Sequence, residues 1–434
     1  MSIFRAYDIR GLYGKDLTDE IAEKIAKAFV NLLHAKKAVV GMDVRTASPQ
    51  LKESVIKGLV SQGCDVIDIG LVPIPAFYFF IVKYKLKAGI YVTGSHDPKG
   101  YDGLKLCKAK AIDLTYESGI GKLEKNYKKN YPEKKNGVIV KEDVSDEYEK
   151  HIIGKFKIRP LEVVIDAGNG CLSYIAPDVF EKLGFDVTRL FCEFDGNFPN
   201  RPPEPLEKNL TALKNKVKEV KADLGIAYDV DGDRSIFIDD KGEYVNPDII
   251  LTIFAENLLK KNDTLVVTVA CTKVLETLAK KFKWKLVWTR VGRSYVKQEM
   301  IRTKATLAGE ISGHYFFKEN NYDDGLFTSL VLAKLIGEKG NLSYLKNRVS
   351  RHASLDLRID CKEEKKNKVV KAVKMHFKKH KLILIDGVGI NFKNGFALVR
   401  PSNTEEKIEI KLEADNESDL VKIRKEIEDI IKDV

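Results

Sequence analysis

Lys221-Ala222-Asp223-Leu224-Gly225-Ile226-Ala227-Tyr228-Asp229-Val230-Asp231-Gly232-Asp233-Arg234 is an apolar run opened by Lys-Ala and closed by a turn loaded with charge. The same succession occurs twice more. Lys87-Ala88-Gly89-Ile90-Tyr91-Val92 runs into Thr93-Gly94-Ser95-His96-Asp97-Pro98, and Lys304-Ala305-Thr306-Leu307-Ala308 into Gly309-Glu310-Ile311-Ser312-Gly313-His314. Upstream of each lie two further β-branched runs with an amphipathic helix between them. The first runs are 38–43, 162–166 and 265–269, and the second are 65–69, 186–190 and 285–289. The helices fall near 50–62, 175–183 and 273–282. Periods of two and of 3.6 residues separate the strands from the helices.

In open α/β sheets, ligands bind beyond the carboxyl ends of strands. Three equivalent strand ends, each with different chemistry, therefore predict three related domains converging on one site. After about Arg348 the pattern changes. Leu355–Asp360 alternates, a lysine-rich helix follows, Ala397–Arg400 and Ile408–Leu412 read as strands, and a last helix covers roughly 417–432. The expected fold is α/β: three similar α/β domains with mixed sheets, at 1–148, 149–250 and 251–348, then a smaller α+β domain at 349–434, arranged around a central cleft.

Composition limits the function classes. The 434 residues carry 74 Lys+Arg against 63 Asp+Glu, a net charge of +11. Lysines are spread along the chain, and runs such as 365–368 and 374–381 read as solvated helix faces. No basic cluster interleaved with stacking aromatics appears, so a nucleic-acid partner is not expected; positive charge also suits small phosphorylated substrates. The six cysteines are scattered without a CxxC or Cys/His cluster, which argues against zinc and for a reduced, cytoplasmic setting. The start lacks signal-peptide character, and the longest apolar stretch, 73–82, is too short to span a bilayer. A membrane partner is not expected either.

Four turns and the N-terminus carry candidate chemistry. Ser95, on a Gly-flanked turn, can carry a covalent intermediate, with His96 and Lys105 able to move protons or contact phosphate. An ordinary polar loop is the simpler reading of such a composition. Asp229, Asp231 and Asp233 would repel one another without a divalent cation, and hard oxygen donors with open positions suit Mg²⁺. An EF-hand is excluded, because Arg234 stands where the loop needs Gly and Asp240 where it needs Glu. Glu310, Ser312 and His314 offer a carboxylate, a hydroxyl and an imidazole suited to sugar hydroxyls; a helix cap would explain them as well. Arg400, Ser402, Asn403 and Thr404 suit a phosphate dianion, against the alternative of a self-capped Pro-Ser-Asn turn. In Phe4-Arg5-Ala6-Tyr7-Asp8-Ile9-Arg10-Gly11, Arg10 could join an anion site, or the segment could be a docked edge strand.

Together these motifs resemble the α-D-phosphohexomutases, which include phosphomannomutase/phosphoglucomutase and phosphoglucosamine mutase. The resemblance covers the whole chain and keeps motif order. It implies that Ser95 is the phosphorylated residue and a metal ligand alongside Asp229, Asp231 and Asp233, with Arg234 beside them. It implies that Glu310 and Ser312 read sugar hydroxyls, that Arg400, Ser402, Asn403 and Thr404 bind phosphate, and that Tyr7 and Arg10 contact substrate. Asp195-Gly196-Asn197-Phe198-Pro199-Asn200 matches a structural segment of the family. Gly94 and Asp97 depart from it, standing where Ala and Asn are usual, and Asp97 adds negative charge near the serine; Glu406 stands where Pro is frequent.

The implied reaction interconverts hexose 1-phosphate and hexose 6-phosphate, of mannose or glucose. It uses one Mg²⁺ per active site and passes through a bound hexose 1,6-bisphosphate that turns end over end. Ile311, where phosphoglucosamine mutases usually place Gln, makes that enzyme the second choice. A haloacid-dehalogenase-type phosphatase, with Asp229 as nucleophile, is a more distant one, since the serine loop and Asp233-Arg234 argue against it.

Overall fold

The computed structural model describes residues 2–320, 322–402 and 406–432. By contacts the chain divides into two units, Met1–Asn246 with Gly313–Leu345, and Pro247–Ser312 with Lys346–Val434. The β-branched runs of the first unit form two mixed sheets. In the first, strands lie in the order Ile9–Leu12, Tyr101–Lys108, Ala88–Val92, Lys37–Met42, Asp65–Leu71, Ile139–Lys141. The three strands expected from the repeat are its parallel centre. Tyr101–Lys108 returns antiparallel, and Ile9–Leu12 pairs with it at the edge, so the N-terminal segment is a docked edge strand that presents Arg10 opposite Gly103.

Helices Asp19–Leu33 and Ser48–Val60 cover one face of this sheet through a core that includes Phe29, Leu51, Val55, Val40 and Ile90. They approach so closely that a Cβ on Gly58 would lie 2.4 Å from the Glu23 carbonyl oxygen. The apolar stretch at 73–82 becomes helix Ile74–Lys83, buried nearly all round, with Phe77 and Tyr78 inaccessible to solvent. Among the described residues no helix is long and apolar enough to cross a membrane.

The second sheet runs Tyr244–Val245, Ser235–Ile238, Leu224–Tyr228, Glu162–Asp166, Asp186–Leu190. Tyr228 pairs with Ser235 across an antiparallel hairpin, so residues 229–234 form its loop. The Lys-Ala pairs expected to open strands do something else at two of three positions. Lys221 and Lys304 sit in the left-handed conformation, φ 57° and 54°, and cap the helices Thr211–Val220 and Arg293–Thr303. The strands begin three residues later, at Leu224 and Leu307.

The second unit holds the parallel strands Lys285–Thr289, Thr264–Thr268 and Leu307–Gly309 in that order. Its C-terminal part is an antiparallel sheet ordered Ala353–Asp360, Lys407–Ala414, Gly395–Pro401, Val388–Phe392, Lys381–Ile383, backed by helices Glu363–His376 and Glu417–Lys432. The two parts share a core of Val269, Ala270, Phe396 and Leu398. Lys273 reaches over the rings of Trp288 and Phe396 at 4.5 and 4.6 Å, and Lys411 pairs with buried Asp248.

Leu412 is fully buried between the C-terminal sheet and its helices. Leu412→Ala should cost about 2–5 kcal/mol, seen as a lower urea midpoint with the folded circular dichroism spectrum retained.

Candidate functional site

Beyond strand Ala88–Val92 the chain turns sharply. Ser95 adopts φ 48°, a conformation that non-glycine residues seldom hold without constraint. The constraint is visible. The Ser95 amide donates to Thr93 Oγ1 at 2.6 Å, and Thr93 Oγ1 donates to Asp43 Oδ2 at 2.7 Å. The Arg45 guanidinium donates to the carbonyl oxygens of Ser95 at 2.7 Å, Tyr101 at 2.9 Å and Pro98 at 3.1 Å, and to that of Asp97.

Gly94 makes room for this, since a Cβ there would lie 2.7 Å from Arg45 Nε. The segment 195–200 braces the same arginine: Phe198 lies 5.2 Å beneath it, and a Cβ on Gly196 would meet the Val44 carbonyl oxygen at 2.4 Å. The extra charge of Asp97 has a partner as well, Arg10 Nη1 at 3.3 Å. Arg10 is itself buried between Asp8 and Asp97, with Tyr7 partly buried in its field.

The acidic loop faces this turn. Asp229, Asp231 and Asp233 are all buried, and their carboxylate oxygens gather within 4.8 Å of one another. Gly232 has φ 79°, and a Cβ on it would strike Leu172 at 2.8 Å. Ser95 Oγ donates to Asp231 Oδ1 at 3.3 Å. Lys105 Nζ, on the antiparallel strand beside the serine loop, donates to Asp231 Oδ2 at 2.7 Å and Asp233 Oδ2 at 2.8 Å. Burial, then Asp233 and Asp231, push the Asp229 carboxyl well above its ordinary range. Its Oδ2 takes no hydrogen bond, with Arg234 Nε 3.4 Å away. Buried hard oxygens, mutually repelling and with an acceptor to spare, fit a divalent cation.

Arg234 joins two imidazoles. Its Nε donates to His314 Nε2 at 3.0 Å, and its Nη2 meets His96 Nδ1 at 2.7 Å. His314 Nδ1 stands 2.8 Å from Asp323 Oδ2. Burial and then Arg234 hold His96 well below the usual imidazole range, so it is neutral, with Nδ1 occupied as an acceptor. Ser95, His96, Lys105, Asp229, Asp231, Asp233, Arg234 and His314 are thus one cluster in the first unit.

The second unit holds the other candidates. Gly292 N donates to Glu310 Oε2 at 3.1 Å, and Ser312 Oγ to Glu310 Oε1 at 2.5 Å. Asp386 Oδ2 accepts from Val291 N at 3.0 Å and from Arg400 Nε at 3.1 Å. Ser402 Oγ donates to Glu409 Oε1 at 3.0 Å, and Lys366 Nζ to the Ser402 carbonyl oxygen at 3.1 Å. Through Asp386 and residues 291–292, the Glu310 turn and the Arg400 turn are tied to each other. Asn403 and Thr404 lie outside the described residues. Sequence reading left Asp43, Arg45, Asp323 and Asp386 unassigned. Asp43 closes a predicted strand and Arg45 lies just beyond its carboxyl end, where ligand-side residues are expected.

Four family descriptions match the chain in order: phosphoglucomutase/phosphomannomutase α/β/α domain I over residues 1–134, domain II over 146–242, domain III over 246–352, and the C-terminal domain over 357–430. The chain belongs to the phosphoglucomutase/phosphomannomutase family of α-D-phosphohexomutases. Its three α/β domains and C-terminal domain are those the repeat implied. A phosphomannomutase/phosphoglucomutase of Pseudomonas putida is 38% identical, with 98% of this chain and 94% of the relative covered. A phosphoglucomutase of Neisseria meningitidis is 34% identical, with 99% and 96% covered. A crystal structure of a phosphoglucomutase/phosphomannomutase family protein from Burkholderia thailandensis aligns with a TM-score of 0.91 at 33% identity, over 99% and 97% of the two chains.

Behind the phosphohexomutase serine loop, Ser48 Oγ bridges Asp43 Oδ1 at 2.7 Å and Asp102 Oδ2 at 2.9 Å. One hydroxyl hydrogen serves one bond only, so the other requires a protonated carboxyl. Asp102, pushed up to about 8 by burial and by Asp43, carries that proton. Its value in the fold lies above the ordinary 3.8, so the folded state binds more protons than the unfolded chain between those values. Its stabilising contribution is therefore lost as pH rises through 8. Asp102→Asn should flatten the fall in urea midpoint between about pH 4 and 8; parallel losses in wild type and variant would reject the assignment.

Proposed function

We propose that this phosphohexomutase interconverts hexose 1-phosphate and hexose 6-phosphate through a phosphoryl group carried on Ser95. The observation that supports it best is the Ser95 hydroxyl, held in a strained turn 3.3 Å from one of three buried carboxylates. Mannose and glucose phosphates are the favoured substrates, in line with the names of the relatives, and the cytoplasm is the compartment that phosphosugar chemistry and scattered thiols suit.

In the first transfer, a sugar hydroxyl attacks the phosphorus of phospho-Ser95. The new sugar O–P bond forms as the P–Oγ bond breaks, and the hydroxyl proton ends on Ser95 Oγ. Arg45 keeps the serine aimed at the incoming oxygen, because four loop carbonyls move only together. Lys105, bonded to the carboxylate that also holds Ser95 Oγ, is the residue placed to relay the proton. His96 is not, since Arg234 occupies its only acceptor nitrogen. Arg10 and Arg234 place positive charge around the transferring group. Asp229, Asp231 and Asp233 would hold a Mg²⁺ ion, which when bound supplies Lewis-acid charge at the serine phosphate.

Glu310 and Ser312 are assigned to sugar hydroxyls, and Arg400 and Ser402, with Asn403 and Thr404, to the phosphate that does not react. A bisphosphate formed in this way must turn over before its other phosphate is returned to Ser95, so these contacts read features shared by both orientations.

Intact-mass analysis of the purified protein should show one phosphoryl adduct. Ser95→Ala should lack it and lose about a thousandfold or more in turnover; ordinary turnover by that variant would remove Ser95 from the reaction. A chelator should abolish isomerisation and added Mg²⁺ restore it. Assayed side by side, mannose and glucose 1-phosphates should outperform glucosamine 1-phosphate, with sugar 6-phosphate and no free phosphate as product. Release of free phosphate would favour the phosphatase reading.

A further inference from the structure

A second arginine stands behind the acidic loop as Arg45 stands behind the serine loop. In the first repeat, buried Asp43 follows the strand Lys37–Met42 and lies 3.3 Å from Arg45 Nε. That guanidinium grips the loop beyond the neighbouring parallel strand, Ala88–Val92. In the second repeat, Asp166 closes the strand Glu162–Asp166, which pairs in parallel with Leu224–Tyr228. Both Asp166 carboxylate oxygens accept from Arg201 Nε, each at 2.9 Å. Arg201 Nη2 then donates to the Tyr228 carbonyl oxygen at 2.6 Å. That carbonyl belongs to the peptide whose amide is the Asp229 N–H.

Arg201 and Asp166 are both buried. An ion pair of this kind adds little stability by itself, because desolvation offsets the attraction. What it supplies is a planar fork of fixed geometry. The guanidinium lies against the backbone at Gly168, where φ is 54° and a Cβ would come within 2.5 Å of Arg201 Cζ. The next three carbonyl oxygens, of Val230, Asp231 and Gly232, accept from the backbone amides of Cys171 at 2.8 Å, Ile74 at 2.8 Å and Gly325 at 3.1 Å. The Tyr228 carbonyl is held by a side chain instead.

The charge of Arg201 is matched by Asp166, so what reaches the acidic loop is geometry more than field. Asp229 has the most to gain from it. Lys105 bonds the other two carboxylates. Asp229 Oδ1 accepts from the Arg234 amide at 3.1 Å, and its Oδ2 takes no hydrogen bond.

We infer that Arg201 is a positioning residue for the acidic loop: by holding the Tyr228 carbonyl it sets where Asp229 presents its carboxylate, and so how tightly a divalent cation binds. The inference rests on the reading of Asp229, Asp231 and Asp233 as the Mg²⁺ ligands.

Binding of Mn²⁺ to the metal-stripped full-length protein, followed by the electron paramagnetic resonance signal of the free ion, tests the inference. Arg201→Lys keeps a charge opposite Asp166 but replaces the fork with a single ammonium. It should raise the Mn²⁺ Kd about tenfold or more, and the Mg²⁺ concentration for half-maximal mutase rate should rise with it. Arg201→Met should weaken Mn²⁺ binding at least as much. Thermal melts fix a temperature at which each variant is folded, and Arg201→Lys carries the test if Arg201→Met does not fold. Equal Mn²⁺ affinity in wild type and Arg201→Lys, whatever the change in melting temperature, would overturn the role of Arg201 and leave the metal reading standing. No Mn²⁺ binding by the wild type would remove the metal reading itself, and this inference with it.

Discussion

The first unit depends on concentrated negative charge kept out of water. Asp229, Asp231 and Asp233 sit on one tight hairpin loop, nearly inaccessible to solvent. In such surroundings like charges repel strongly and are poorly solvated. Lys105 answers two of the three carboxylates, and Asp229 is left to its neighbour Arg234. Such a loop fits a cation of higher charge. Ser95 is fastened to the same loop through Asp231, so whatever balances the carboxylates also governs the serine.

Around this centre the protein spends much of its buried polarity on stiffness. Arg45 gathers four carbonyl oxygens of one loop, Phe198 supports the arginine from below, and Asp43 and Ser48 lead back to a protonated Asp102. None of these groups needs to touch a substrate. They hold Ser95 in a backbone conformation that it would otherwise leave, and so store strain at that residue. The second unit follows the same plan on a smaller scale, with Asp386 tying the Arg400 turn to the backbone beside Glu310.

The three-strand repeat was legible because burial on both faces forces β-branched runs, and because the polar turns end those runs at equivalent places. Ser95, the three aspartates and Arg234 stood out for the same reason, as chemistry at strand ends. Residues that act by contact across a turn or between distant elements did not. Asp323 reaches His314, and Asp102 reaches Ser48 54 positions back along the chain; nothing local announces either contact. The Lys-Ala pairs misled in an instructive way. Their lysines close helices in the left-handed conformation, a role usually given to glycine, so composition alone pointed to the wrong element.

Helix Gly325–Lys339 begins at Asp324, whose carboxylate accepts from the Phe327 amide at 2.9 Å and from the Tyr148 hydroxyl at 2.9 Å. The residue just before it, Asp323, holds His314. One turn of backbone thus both starts a helix and orients an imidazole. The turn is buried from Asp323 through Phe327, so the helix start and the ring share one solvent-excluded anchor, and a substitution that disturbs either is felt by the other.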